Sequence, residues 1–172
     1  MKKYFVAVYV VLTTSIFAQI VPDQHYLGPS LGLSFLGSTF QLGANYEYGM
    51  KLSDIGTIGV GGIFRYWSYK ETYFTGHWNY VDVMIGAQGN YYFKIDNEKI
   101  EPWAGLVLAI NNSSVDWQGT NANYAAPSAG GFWLGFQGGA RYWLNPKTAL
   151  SARVSFGTIS YGGLEVGVDF RL

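Results

Sequence analysis

The chain has 172 residues, no cysteine and a formal charge of zero; charged residues are only 13% of it and aromatics 18%, with 14 Tyr, 6 Trp and 23 Gly. This length suits one domain, the lack of Cys excludes a disulfide framework, a thiolate metal site and a thiol nucleophile, and the scattered Lys and Arg exclude a basic face for nucleic acid. Soluble domains carry roughly 25% charged residues, so something other than bulk water is expected to wet much of this surface.

The N-terminus opens with a positive Met1-Lys2-Lys3, an apolar stretch from Tyr4 to Phe17 and a cleavage point at Ala18-Gln19, the pattern of an export signal. It is shorter than the ~20 apolar residues of a spanning helix and has no basic flank after it. Residues 1–18 are therefore expected to be removed, leaving residues 19–172 as the domain. With Lys2 and Lys3 gone, acidic residues outnumber basic ones by two.

From there to the C-terminus, apolar and polar residues alternate. Leu31, Leu33 and Phe35 alternate with Ser30, Gly32 and Ser34; Leu42 to Leu52 alternates with Gly43, Asn45, Glu47 and Lys51; Ile58, Val60, Phe64 and Tyr66 alternate with Gly59, Gly61 and Arg65, with Ile63 out of phase. Val81, Val83, Ile85 and Ala87 alternate with Asp82, Met84 and Gln88, while the run from Trp103 to Asn111 is apolar on both faces and leaves its phase open. Phe132, Leu134 and Phe136 alternate with Trp133 and Gln137, Leu150 to Phe156 with Ser151, Arg153 and Ser155, and Leu164 to Leu172 with Glu165, Asp169 and Arg171. Period two is the signature of strands with one greasy and one polar face, and there are eight such runs. Short polar turns (53–56, 96–99, 145–147) alternate with longer connections at 36–39, 70–79, 112–130 and 158–161. Pro29 and Pro102 are expected at strand starts, Pro127 in a loop and Pro146 in a turn, where no ladder bond is lost.

Two all-β readings compete. A soluble eight-stranded barrel hides its apolar face, but an interior of that size barely holds its own side chains, and the apolar face here is crowded with Tyr, Phe and Leu. Turned inside out, the large residues meet lipid and the small and charged ones fill the lumen. A membrane also demands closure, because an open sheet edge in hydrocarbon leaves backbone groups unpaired. The expected fold is a closed antiparallel eight-stranded up-and-down barrel with a polar, side-chain-filled lumen. Tyr48, Tyr66, Tyr91, Phe93, Tyr142 and Phe170 would form its interfacial girdles.

The leader, the eight alternating segments and the closing strand Leu164 to Leu172 resemble the small outer-membrane β-barrel superfamily, similar to the OmpA transmembrane domain, OmpX and OmpW. The resemblance implies the outer membrane of a Gram-negative-type bacterium, contact with lipid and lipopolysaccharide, and insertion by the barrel-assembly machinery. Such chains end in an aromatic residue read during assembly; here Phe170 and Leu172 would serve.

Candidate site residues fall in two places. In the lumen, Arg65, Arg141 and Arg153 are expected to pair with Glu47, Asp82, Glu165 and Asp169 around inward Trp67, Tyr92, Trp133 and Trp143, because buried charges need partners. In the loop 112–130, Trp117, Asn121 and Tyr124 combine aromatic anchors with polar groups and suit contact with a partner. No cofactor and no metal site is expected. The function these residues suggest is non-enzymatic: envelope structure or surface interaction through the loops. Two alternatives remain: an OmpW-like barrel passing an apolar ligand through its wall, favoured by an apolar lumen or a gap between strands, and a lipid A-modifying enzyme built on His77 with Ser113 or Asp116.

Overall fold

The computed structural model describes residues 20–53, 56–120 and 125–172. Residues 1–18, where a leader is expected, and Asp54, Ile55, Asn121 and Tyr124 lie outside them. Eight strands run in chain order: β1 (His25–Ser34), β2 (Thr39–Leu52), β3 (Gly56–Tyr73), β4 (Gly76–Tyr92), β5 (Ile100–Gly119), β6 (Gly131–Asn145), β7 (Thr148–Gly157) and β8 (Gly162–Arg171). Each pairs antiparallel with the next, and β8 returns to β1, so the sheet is a closed up-and-down barrel. Closure supplies every spanning strand with two partners, the condition for survival in hydrocarbon.

The pleat sorts the side chains as the alternation predicts. On β8, Glu165 and Asp169 are buried while Leu164, Val166 and Phe170 are exposed on the outside. On β5, Glu101, Trp103, Val107, Ala109 and Asn111 point inward and Leu106, Leu108 and Ile110 outward, which sets the phase that the two-sided apolar run left open. Ile63, on the polar face by sequence, is inside too, in an apolar layer with Trp67 and Met84. From Phe132 to Tyr142 the outer face of β6 rises about 33 Å along the strand. At the usual tilt of ~40° that is a belt about 25 Å tall, the height of a hydrocarbon core.

Two ends differ. At the turn end, Asn97 Oδ1 accepts the N–H groups of Lys99 and Ile100 at 2.9 and 3.2 Å, and Asn145 Oδ1 accepts that of Lys147 at 2.9 Å, as Asx turns do. At the loop end the structure departs from the sequence expectation. Residues 70–79 are not a loop: β3 and β4 run on to Tyr73 and Gly76, joined by Phe74 and Thr75. Likewise Asn112 to Gly119 continues β5, and the connection to β6 is confined to 120–130. Pro29 is not at a strand start but in the middle of β1, where the β1–β8 ladder passes from Leu27↔Phe170 to Ser30↔Gly167. Proline has no N–H to give that ladder. His25 is the first residue of β1.

Candidate functional site: lumen network and projecting sheet

The lumen is filled in layers. At the turn end an aromatic cork of Tyr26, Tyr92, Trp103 and Trp143 closes around Ile20 and Ala149. At the loop end a second cork joins Ile63, Trp67, Met84, Val107, Ala109, Trp133 and Tyr161, with Tyr161 stacked on Trp67 at 4.7 Å and set edge-on to Trp133 at 5.2 Å. Glycines make the room: a Cβ on Gly135 would collide with the Trp133 indole, and one on Gly28 with the Asp169 carboxylate.

Between the corks runs a continuous polar chain. Arg141 donates to Asp169 and Glu47 and, at 2.6 Å, to the Tyr92 hydroxyl. Tyr92 donates in turn to both Glu47 oxygens at 2.8 Å, and Asn90 donates to Glu47. Gln137 bridges Asn90 and Gln88 at 2.8 Å each. Arg153 donates to Asn45 and, at 3.2 Å, to the Gln88 and Gln137 oxygens, and its guanidinium lies 4.7 Å over the Trp103 ring. Asn45 also accepts Arg65 at 2.8 Å; Arg65 pairs with Glu165, which further accepts Gln41 at 2.7 Å and Ser30 at 3.0 Å. Tyr161 closes the chain on Gln41 at 2.8 Å. Each charge so held is buried, and a buried charge stripped of its partner costs several kcal/mol.

The network therefore brings together Glu47, Arg65, Arg141, Glu165 and Asp169. Two of the expected members are held otherwise. Asp82 forms no ion pair among the described residues; its Oδ1 accepts Asn111 at 2.7 Å and Ser113. Arg153 meets side-chain amides instead of a carboxylate. Period two assigns a face, but which inward residues meet is set by the stagger between strands, which the pattern does not encode. Sequence reasoning also missed Glu101, buried 3.6 Å from Arg141. It lies two residues before Trp103, and starting that strand earlier would have found it.

The second candidate site stands above the rim. Beyond Gln41↔Trp67, β3 pairs only with β4, and beyond Asn111↔Gly131, β5 pairs only with β4. Residues 68–73, 76–81 and 112–119 thus form a three-stranded tongue about 20 Å long at the usual rise per residue. Its inner face is aromatic. Tyr69 and Tyr80 stack at 4.5 Å with rings nearly parallel, and Trp78 meets Trp117 at 5.1 Å. Tyr80 donates to Glu71 at 3.1 Å. Burial first, then that hydrogen bond, pushes the Tyr80 hydroxyl up to about 12, and burial pushes Tyr69 to about 12 as well. Tyr73, Phe74, Thr75, Trp78 and Trp117 line a pocket of about 340 Å³ at the tip, where Phe74 is fully exposed. Trp117, expected in a loop, is therefore on a strand. His77, registered against Thr72 and Gln118, lies on the outer face of the tongue, whereas Ser113 points inward to Asp82. Phe170 and Leu172 lie on the outer face at the turn end.

A closed sheet with an apolar outside, an ionic inside and corks at both ends is the architecture of a transmembrane β-barrel. No protein-family model matches the sequence, and no curated protein does. Solved structures do. The chain is similar to the N-terminal β-barrel domain of OprF from Pseudomonas aeruginosa, at 12% identity over 88% of this chain and 98% of that one, TM-score 0.60. It is similar to OprG from the same organism at 12% identity over 91% and 99%, TM-score 0.58, and to Ail, the attachment invasion locus protein of Yersinia pestis, at 14% over 87% and 97%, TM-score 0.52. These likenesses are of fold: the small eight-stranded barrel of outer-membrane proteins.

Proposed function

We propose that the chain is exported with residues 1–18 as its leader, inserted in the outer membrane of a Gram-negative-type bacterium by the assembly machinery acting on Phe170 and Leu172, and used there as a non-enzymatic surface barrel. Lipid and lipopolysaccharide surround its apolar belt, and the tongue contacts an extracellular partner. The belt height and the fold of its neighbours support the membrane. The observation that carries the surface role is the tongue, which extends past the rim with Phe74 bare at its tip and four aromatic rings behind it. A barrel that only reinforced the envelope has no need to expose a phenylalanine to water, whereas aromatic anchors are the residues that dominate protein contacts.

The test is a photo-reactive residue in place of Phe74 on intact cells, with the same probe in place of Ile85 in the belt. Position 74 should capture a species that is not a lipid, and position 85 should capture lipid. Capture of lipid alone from both positions rejects the surface role. Recovery of the folded, heat-shiftable barrel outside the outer-membrane fraction rejects the location.

A further inference from the structure

The register of the tongue sets one carboxylate in line with two indoles. Across β3, β4 and β5 the inward row nearest the tip but one is Glu71–Trp78–Trp117, and the last row is Tyr73–Gly76–Gly119. The two glycines answer a need for space: a Cβ on either would stand 2.7 Å from the Trp117 ring, so that indole lies over bare backbone. The Trp78 and Trp117 rings meet 5.1 Å apart at 58° and floor the 340 Å³ pocket, which Tyr73, Phe74 and Thr75 border. Glu71 is exposed beside it and is steadied on one oxygen, Oε2, which accepts Tyr80 at 3.1 Å and Tyr73 at 3.5 Å. With the Tyr80 hydroxyl raised to about 12, that donor keeps its proton throughout the neutral range.

The sequence puts no cation on this face. In the tongue and in the loop-end connections 35–38, 120–130 and 158–161, the sole Lys or Arg is Lys70. Alternation sets it on the outer face, in the row Lys70–Asn79–Asp116. Arg65, the next cation along β3, lies below the rim in the hands of Glu165 and Asn45. The inner face carries acids instead: Glu71 at the pocket and Asp82 two rows beneath it. The ring faces add negative potential of their own, because an aromatic quadrupole is negative above and below its plane.

We propose that the tip pocket is a binding site for a guanidinium group, an arginine side chain of the extracellular partner, which stacks on the Trp78 and Trp117 indoles and pairs with Glu71. The inference rests on the reading that the tongue contacts such a partner, and it names the chemistry that partner presents. A guanidinium is flat, weakly hydrated and forked, so it lies on a ring while its edge meets a carboxylate. An ammonium is compact and strongly hydrated, and at so open a mouth it keeps its water. An anion would be repelled by Glu71, and a neutral apolar chain would strip water from that carboxylate and offer it no partner.

The full barrel, folded in an uncharged polyoxyethylene detergent at low salt, is titrated with capped Gly-Arg-Gly, Gly-Lys-Gly and Gly-citrulline-Gly peptides. Nitrogen NMR follows the indole N–H signals of Trp78 and Trp117. The arginine peptide should shift both signals to saturation, and the lysine peptide should bind more weakly. Citrulline, which keeps the shape and drops the charge, should bind about tenfold more weakly. Lysine or citrulline binding as tightly as arginine, or no saturable shift with arginine, overturns the proposal. So does a neutral sugar, methyl glucoside, that binds more tightly than the arginine peptide. In Glu71→Gln the arginine affinity should fall about threefold with citrulline unchanged, and equal changes for both peptides overturn the pairing. The titration uses purified protein and the capture at position 74 uses cells, so the two readings fail separately. A pocket that ignores arginine overturns this proposal and not the surface role, whereas lipid-only capture rejects the surface role.

Discussion

Glu47 accepts hydrogen bonds from Arg141, Asn90 and, through both oxygens, Tyr92. Replacing it with Gln keeps the shape and removes the charge, leaving Arg141 short of its nearest anion. The expected loss is ~3–5 kcal/mol, read by denaturant unfolding in vesicles, whereas Tyr92→Phe should cost about 1 kcal/mol. Equal losses would mean that the network acts through shape and not through charge. On the outer face, Ile85 sits mid-belt opposite Phe64 and Ile110, and Ile85→Arg should destabilise by ~2–4 kcal/mol. A folding constant unchanged by that substitution would contradict the outward placement. In the β7–β8 connection, Ile159 and Ser160 have φ of 51° and 55°, the two consecutive positive angles of a hairpin turn that favours glycine. Ser160 is exposed, so Ser160→Gly loses no packing and should stabilise by about 1 kcal/mol in the same assay.

The tongue is an element held by its own ladder and by aromatic contacts. Replacing residues 70–79 with an Asn-Gly turn should leave the heat-shifted gel migration of the barrel intact, since β2 never pairs with that part of β3. Its pH response comes from Tyr69 and Tyr80. Both hydroxyls hold their protons more tightly in the folded tongue than the ordinary value of 10 in the unfolded chain. The stabilisation is complete below pH 10 and is lost as pH rises through about 12. Tyrosinate absorbance and loss of hydrogen-exchange protection at 76–81 should rise together there, before the barrel opens. This element was also the least legible in the sequence. Outside the bilayer the outward positions need not be apolar, so Thr72, Asn79, Asp116 and Gln118 look like loop residues although the alternation continues beneath them. Within the bilayer the solvent itself enforces contrast between faces. That is why the eight spanning strands and the inward placement of Glu47, Arg65, Arg141, Glu165 and Asp169 could be read directly. Their pairing could not: Asp82 and Arg153 face inward as expected yet meet amides and hydroxyls, because shear brings other residues beside them.

At the scale of the molecule, the two corks cut the ionic band off from both aqueous sides. Mobile ions screen charges only where they can approach, so the unfolding midpoint of the barrel should be nearly the same at about 0.01 M and about 1 M salt. A strong dependence would show that water threads the lumen, and stable conductance steps in planar bilayers would show the same. The closed sheet has one line that differs from the rest. Seven of its seams join neighbours in the chain and form as each hairpin folds, but the eighth must bring the two ends together, and there Pro29 interrupts the bonding between Leu27 and Ser30. The proline leaves that junction a hydrogen bond short, so it is the line along which the finished cylinder opens at least cost, without unpicking any seam that local folding has already made.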